Sequence, residues 1–220
     1  MNWKPNSAGA LLKLDCKETT NLKLTGANMI YSFDDLKIKF SDYAKIRDKI
    51  NHEIQAGRLI HIARGLYTTD AKISGKYISG RLCSPSYLSF DFALYIYSLI
   101  PETVYAYTSA TFCKHRNKMY KNNFGTFTYR DVPAEVYPLG VLTREENGYS
   151  YQIATPEKAV CDKLYTISPV SNLTEIKELL FDDLRIDEDD FSRLNKEILQ
   201  KIAPLYHSTN LNLLTKLIRK

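Results

Sequence analysis

The stretch between Ser32 and Thr68 constrains the fold of this chain more than any other segment. Ser32 and Asp35 form the S-x-x-D pattern of a capped helix start. Ser41 is predicted to cap a second helix, which ends at Gly57. Two short extended segments joined by a glycine turn follow this helix. Two helices followed by a two-stranded wing are the outline of a winged helix-turn-helix.

The predicted second helix separates apolar from polar side chains. Its apolar face consists of Tyr43, Ile46, Ile50 and Ile54. A recognition helix shows this division, since one face packs on its module and the other enters the major groove of DNA. Lys and Arg residues on neighbouring elements would meet phosphates. Arg47 lies on the flank of the apolar face, which makes it a weaker candidate. The residues predicted to contact DNA are Ser41, Lys45 and Lys49 in the groove, and Lys37, Lys39, Arg58 and Arg64 at the backbone.

This outline has two other interpretations. A helical hairpin with solvated charges shows the same pattern, and short winged helices also bind proteins. The charge distribution favours DNA, because seven Lys and Arg face three acids between Lys37 and Arg64, within a net charge of +5. By contrast, the stretch 175–190 holds eight carboxylates and two cations. The basic end of the chain therefore suits a polyanion.

The length of 220 residues allows two small domains. A polar, turn-rich segment predicts a boundary, with a DNA-binding domain at 1–72, a linker at 73–86 and a second domain at 87–220. A leucine-containing segment within 1–28 is predicted to supply the first helix of the winged module. The strand that pairs with the wing is predicted at 29–31.

The second domain mixes strands and helices. A buried helix is predicted after Ser89, and Thr155-Pro156-Glu157 is a strong helix start. From about residue 170 the chain is predicted to form a helical cover. The chain is therefore predicted to be α+β, a winged helix-turn-helix followed by a mixed α/β domain with a helical C-terminus. The predicted strands are 104–109, 124–130, 137–142 and 149–153.

A second run of positive charge interrupts the predicted strands. The segment 114–121 contains four Lys or Arg and no acid. It is interpreted either as a second surface for nucleic acid or a partner, or as a solvated hairpin or loop. The residues of this possible second basic surface are Lys114, Arg116, Lys118 and Lys121.

The sequence predicts neither an enzyme nor a metal or cofactor site. No phosphate-binding glycine loop or catalytic motif is present, and the four cysteines are scattered. Asp131 and Glu135 leave a metal-dependent nuclease as an alternative, but Glu157 and Lys158 are adjacent and so do not share one face of a strand. No signal peptide or membrane span is predicted, which indicates a cytoplasmic protein with no membrane partner.

A series of short motifs, in order and at characteristic spacing, resembles the AbiEi family of antitoxins. Arg64-Gly65-Leu66-Tyr67 resembles the end of that family's N-terminal domain, and the match extends over roughly 30–165. The departures from the family pattern are the extension before Met29 and the acidic helical C-terminus after Pro169. The motifs of the second domain are Tyr87-Leu88-Ser89, Ala93-Leu94, Leu99-Ile100-Pro101-Glu102, Thr108-Ser109, Phe124 to Arg130, and Ile153 to Ala159 with Asp162 and Leu164-Tyr165.

The resemblance implies an antitoxin of a bacterial type IV toxin-antitoxin, or abortive-infection, system. Its N-terminal domain would bind inverted repeats in its own promoter and repress the operon. A single winged helix covers a small site, so useful affinity requires either repeated sites or self-association of copies on the DNA. Its second domain would counter an AbiEii-like nucleotidyltransferase toxin without forming a stable complex. A winged-helix transcriptional regulator without a toxin partner is the alternative.

Overall fold

The computed structural model describes residues 30–219, which form an α+β structure. Two apolar cores lie within this range. The smaller core comprises side chains between Tyr31 and Leu59, and the larger one extends from Ile62 to Ile218. No helix in residues 30–219 is long and apolar enough to cross a membrane.

The smaller core lies within a unit of two helices and a three-stranded antiparallel sheet, in the order β1-β3-β2. The predicted helix start is confirmed, because the Ser32 side chain accepts from Asp35 N at 3.1 Å while Ser32 N donates to the Asp35 carboxylate at 2.7 Å. The strand predicted at 29–31 is observed one residue later. The helix predicted within 1–28 lies outside the described residues. The elements are β1 (Ile30–Ser32), α1 (Phe33–Lys39), α2 (Ile46–Gln55), β2 (Ile60–Ala63) and β3 (Leu66–Thr68).

The prediction that Ser41 caps the second helix is wrong. The helix begins at Ile46, its N-cap is Lys45, and the intervening residues form a turn. Phe40 is buried and its carbonyl accepts from Tyr43 N at 3.0 Å, so the chain turns back before it can enter a helix. Tyr43 is therefore half exposed, with its edge toward the Phe40 ring, and does not belong to the helical stripe.

The second unit is built on a six-stranded mixed sheet, in the order β6-β7-β5-β4-β9-β8. The parallel pairs are β5 with β7 and β4 with β9. Three of the predicted strands are confirmed, whereas the one predicted at 137–142 begins only at Val141. Residues 118–121 of the basic segment lie in β6, which forms an antiparallel hairpin with β7, as the hairpin interpretation predicts. The strands are β4 (Tyr87–Leu88), β5 (Ala106–Thr111), β6 (Lys118–Asn122), β7 (Gly125–Asp131), β8 (Val141–Glu146) and β9 (Tyr149–Ala154).

Helices pack on this sheet and form the C-terminal part of the chain. The predicted start of α5 is confirmed, since Thr155 accepts from Lys158 N and Pro156 is the first helical residue. A π-helical turn at Leu179–Asp183 and a 3-10 turn at Ala203–Tyr206 connect the last helices. The helices are α3 (Gly75–Leu82), α4 (Phe90–Ile96), α5 (Pro156–Tyr165), α6 (Leu173–Glu178), α7 (Glu188–Ser192), α8 (Lys196–Ile202) and α9 (Thr209–Ile218).

The segment 73–86, predicted as a linker, contains α3 and packs into the larger core. Tyr77 and Ile78 are buried, and the Tyr129 hydroxyl donates to the carbonyl of Ser79 at 2.7 Å. The wing contacts the same body, because the Asn122 side chain donates to the carbonyl of Ile62 at 3.2 Å. The connection between the two units is therefore a packed helix rather than an extended tether.

A wholly buried polar network ties the C-terminal turns to the sheet. Lys158 Nζ lies 3.0 Å from Asp162 Oδ1 and 2.6 Å from the Tyr206 hydroxyl. The Asp162 carboxylate also accepts from Tyr206, at 2.5 Å, and from Ser89, at 2.7 Å. Tyr87 donates to its second oxygen at 3.0 Å. Burial, with the Asp162 charge, raises the pKa of both tyrosines, so they remain neutral donors.

Candidate nucleic-acid interface

The predicted groove-contacting residues around the start of α2 are exposed. Lys45 is the N-cap of that helix, and Ser41 lies in the turn before it. Neither side chain makes an ion pair or hydrogen bond within residues 30–219, so both are available to a ligand. Lys45 therefore occupies the N-terminal end of the helix, where a recognition helix contacts bases.

Two other predicted DNA contacts are engaged inside the unit. Glu53 is 4% exposed and accepts from Arg58 at 2.6 and 3.0 Å. Lys49 Nζ lies 2.8 Å from the same carboxylate. The hydrogen bonds from Arg58, followed by those from Lys49, outweigh burial and lower the pKa of Glu53 to about 2. These two cations primarily compensate a buried negative charge, and that makes them weaker candidates for phosphate contacts.

The two predicted contacts on α1 differ from each other. Lys37 forms an exposed ion pair with Asp34 at 2.9 Å, an arrangement that water and salt screen strongly. Lys39 Nζ lies 3.3 Å from the Tyr31 hydroxyl and 4.9 Å from the centre of its ring. Lys37 is therefore free to exchange its partner for a phosphate, whereas Lys39 is held along the side of its own unit.

The Phe33 ring lies near cations from both helices of the small unit. Lys37 Nζ lies 5.1 Å from the ring centre, and the Arg47 guanidinium lies 5.9 Å from it. Phe33 N donates to the carbonyl of Gly65 at 2.8 Å, which fixes the wing turn at the same corner. Arg64, exposed and directly before Gly65, extends from that turn. We call Phe33, Lys37, Arg47 and Arg64 the Phe33 cluster.

The Phe33 cluster concentrates positive charge where a helix, a second helix and a wing meet. Its exposed cations repel one another. Within the described residues, Lys37 forms an ion pair with Asp34. A phosphate placed among them would relieve this repulsion and gain charge-assisted hydrogen bonds from the Arg fork. Sequence reasoning did not anticipate the contact between Arg47 and the Phe33 ring, because that contact is tertiary.

The four residues of the possible second basic surface do not form one surface. Lys118 pairs with Tyr129 and Lys121 with Thr126 in the sheet register, and residues three apart on a strand point to opposite faces. Lys118 Nζ lies 3.8 Å from the buried Cys83 sulfur. Lys114 Nζ is engaged with the carbonyl of Ser84 at 3.1 Å. The exposed members are Arg116 and Lys121.

Of the carboxylates considered for a nuclease, Asp131 and Glu157 have structural partners, whereas Glu135 is exposed. Asp131 accepts from Thr111 Oγ1 at 2.6 Å and from the backbone N–H groups of Lys114 and His115, each at 2.7 Å. Burial alone would raise the pKa of Asp131, but these hydrogen bonds lower it overall. Glu157 accepts from the backbone N–H of Asn195 at 3.0 Å. These groups hold a loop and a helix, and residues 30–219 contain no cluster of three or more typical metal ligands.

Two comparisons with known proteins identify no relative of this chain, so the functional proposal below draws on the site and on the sequence motifs. No model of a known protein family matches the chain. A search of curated proteins finds no significant match.

Proposed function

We propose that this protein is a cytoplasmic antitoxin of the AbiEi type that also represses its own operon by binding promoter DNA. The observation that carries the DNA-binding part is the Phe33 cluster, in which cations from α1 and α2 lie near one ring and the turn that bears Arg64 is hydrogen-bonded to the backbone of the same residue. The motif series described above supports the antitoxin part. The small unit would act as a winged helix-turn-helix.

In this proposal the small unit binds DNA through two kinds of contact. Lys45 and Ser41, at the exposed start of α2, would reach base edges in the major groove. The cations of the Phe33 cluster would contact phosphates on either side, which fixes the register of the helix. One such unit covers a short site, so inverted repeats occupied by two associated copies would supply useful affinity.

The second unit would counter an AbiEii-like nucleotidyltransferase toxin without forming a stable complex with it. The residues that carry the resemblance lie in β4, α4 and the segment that follows it, and in β5, β7, β9 and α5, and many of them are buried. They therefore define a framework, and exposed residues around it would perform the neutralisation. Arg116 and Lys121 are the exposed cations of the basic segment that remain available for this role.

Two experiments in cells test the two parts separately. A reporter driven by the chain's own promoter tests repression, and co-expression with the neighbouring toxin gene tests rescue of growth. We expect Arg47→Gln with Arg64→Gln to relieve repression while leaving rescue intact. The double change Arg116→Glu with Lys121→Glu should impair rescue and leave repression intact.

The outcomes distinguish the proposal from its alternatives. Repression without rescue by the unaltered protein would leave a transcriptional regulator with no toxin partner. Loss of both activities in every variant would indicate misfolding, which circular dichroism of the purified variants detects. If the unaltered protein neither represses its own promoter nor rescues growth from the toxin, the proposal is contradicted.

A further inference from the structure

The side chains of Cys83 and Lys118 meet where α3 ends beside the large sheet. Lys118 Nζ donates to Cys83 Sγ at 3.8 Å, although the two residues are 35 positions apart in the sequence. Cys83 is the C-cap of α3, and Lys118 is the first residue of the edge strand β6. A nucleophilic thiol and a primary amine are therefore in direct contact across two separate elements of the fold.

Neighbouring hydrogen bonds hold this pair in place. Lys118 is opposite Tyr129 in the register of β6 with β7. The Tyr129 hydroxyl donates to the carbonyl of Ser79 in α3 at 2.7 Å, and Cys83 N donates to the same carbonyl at 3.5 Å. The strand pair and the end of α3 are thus joined through one carbonyl oxygen. The contact between sulfur and nitrogen belongs to this framework and does not depend on two freely moving side chains.

The other cysteines within residues 30–219 lack this arrangement. Cys161 is wholly buried, and Cys113 is exposed but its sulfur makes no hydrogen bond to a lysine in that range. Cys83 is 5% exposed, and Lys118 is partly exposed. A small oxidant can therefore reach this position beside the edge strand, whereas the surroundings of Cys161 are closed to solvent.

A hydroxyl donor near the Cys83 sulfur lacks an acceptor. Tyr137 Oη is buried and has no hydrogen-bond partner in the part of the chain that the structure describes. Burial, followed by the charge of an ionised Cys83, raises the pKa of Tyr137 to about 12, which indicates that the two groups are neighbours. Most buried hydroxyls in proteins are paired. An oxygen atom attached to the sulfur would offer Tyr137 an acceptor, so these surroundings suit an oxidised form of Cys83.

We propose that Cys83 and Lys118 form a reversible covalent sulfenamide link when the protein meets hydrogen peroxide. The thiolate sulfur attacks one peroxide oxygen and the O–O bond breaks, which gives a sulfenic acid and a hydroxide ion. The hydroxide takes a proton from the Lys118 ammonium, so that water and a free amine form. The amine nitrogen then attacks the sulfur, the S–O bond breaks, and the hydroxyl leaves with an amine proton as a second water. Sulfur is oxidised by two electrons, and peroxide is reduced to water.

The link would tie the end of α3 to the edge of the sheet. It would close the chain between two residues 35 positions apart, and a covalent closure restricts the unfolded chain as a disulfide does. The linked protein should therefore unfold at a higher temperature. A thiol reductant would reverse the link by attacking its sulfur. This inference depends neither on DNA binding nor on the antitoxin role.

Mass spectrometry of the full chain, before and after treatment with hydrogen peroxide, tests the proposal. We expect the intact mass to fall by two hydrogen atoms and to return on addition of dithiothreitol. A disulfide lowers the mass equally, so the link is identified by peptide mapping without reduction. This mapping should find a pair of peptides joined through Cys83 and Lys118.

Two substitutions and two matched controls locate the link. Lys118→Arg and Cys83→Ser should each abolish the joined peptides and the gain in thermal midpoint after peroxide, since a protonated guanidinium and a hydroxyl do not react in this way. Lys114→Arg changes the neighbouring lysine, whose Nζ is held by the carbonyl of Ser84, and should leave the link intact. Cys113→Ser changes the exposed cysteine and should also leave it intact.

Two results would overturn the proposal. The first is peroxide treatment that yields no peptides joined through Cys83 and Lys118. The second is a mass change that Lys118→Arg leaves as it is, because the sulfur would then have formed a disulfide or a higher oxide instead. Thermal unfolding of each reduced variant verifies that it is folded before its oxidation is compared.

Discussion

The carboxylate of Glu53 accepts two hydrogen bonds from the guanidinium of Arg58, at 2.6 and 3.0 Å. The pair closes the end of α2 onto the chain that leads into the wing, because Arg58 N and Leu59 N also donate to the carbonyl of Glu53. An arginine that sequence reasoning assigned to phosphate contact therefore holds α2 and the strands that follow it in a fixed relation.

Arg58→Ala should destabilise the small unit. After this change, Lys49 is the one lysine or arginine that still pairs with the buried Glu53 carboxylate within the described residues. A buried charge with too little compensation is unfavourable, so the folded state loses stability. We expect a lower thermal midpoint for this variant than for Arg47→Ala, whose side chain is exposed and makes no ion pair within the described residues. Equal midpoints for the two variants would argue against an internal role for Arg58.

The pH dependence of stability should carry the signature of Glu53. Its pKa is lowered from 4.5 to about 2 in the folded protein, so the folded state favours the ionised form. The resulting stabilisation is fully present above the unfolded pKa and is lost as the pH falls toward 2. Urea unfolding between pH 6 and pH 2.5 measures it. In Glu53→Gln we expect a shallower decline, and a decline as steep as that of the unaltered protein would assign the effect to other carboxylates.

Asp162→Ala should be far more damaging than any surface change. It leaves Lys158, whose side chain is wholly buried, without its carboxylate, and breaking such a pair is unfavourable by roughly 3–5 kcal/mol. Urea unfolding monitored by tyrosine fluorescence measures the loss. The control is Asp190→Ala, which breaks an ion pair with the exposed Arg193 and should change stability by less than about 1 kcal/mol.

Asp131→Ala should loosen the loop between β5 and β6 without unfolding the sheet. The backbone N–H groups of Lys114 and His115 lose their shared acceptor, so their hydrogen exchange should accelerate by about tenfold or more. The amide of Phe127, in the interior strand β7, serves as the internal reference. Unchanged exchange at both loop amides would show that Asp131 does not hold the loop.

Local sequence patterns predicted the elements whose determinants are local. The capping box of α1 and the Thr155-Pro156 start of α5 each depend on residues within one turn. The interior strands β5 and β7 were predicted from their β-branched and aromatic content. These elements need no information from distant parts of the chain.

The features that sequence reasoning missed depend on tertiary contacts. The start of α2 is displaced because Phe40 is buried and the chain turns after it. Burial of Glu53 cannot be read from helical periodicity, although it decides the role of Arg58. The basic strand β6 forms because β7 offers it a partner, and the contact of Arg47 with the Phe33 ring joins two helices.

The central claim is that the Phe33 cluster contacts DNA phosphates. Fluorescence anisotropy with the chain's own upstream DNA, across a salt series, tests it most directly. Each of Arg47→Gln and Arg64→Gln should weaken binding and reduce the slope of log affinity against log salt by about 1, because each removes one phosphate contact. The control Arg193→Gln, an exposed arginine on α7's C-cap, should leave affinity and slope unchanged. If the cluster variants behave like this control, the Phe33 cluster is not a DNA-binding site and the claim is wrong.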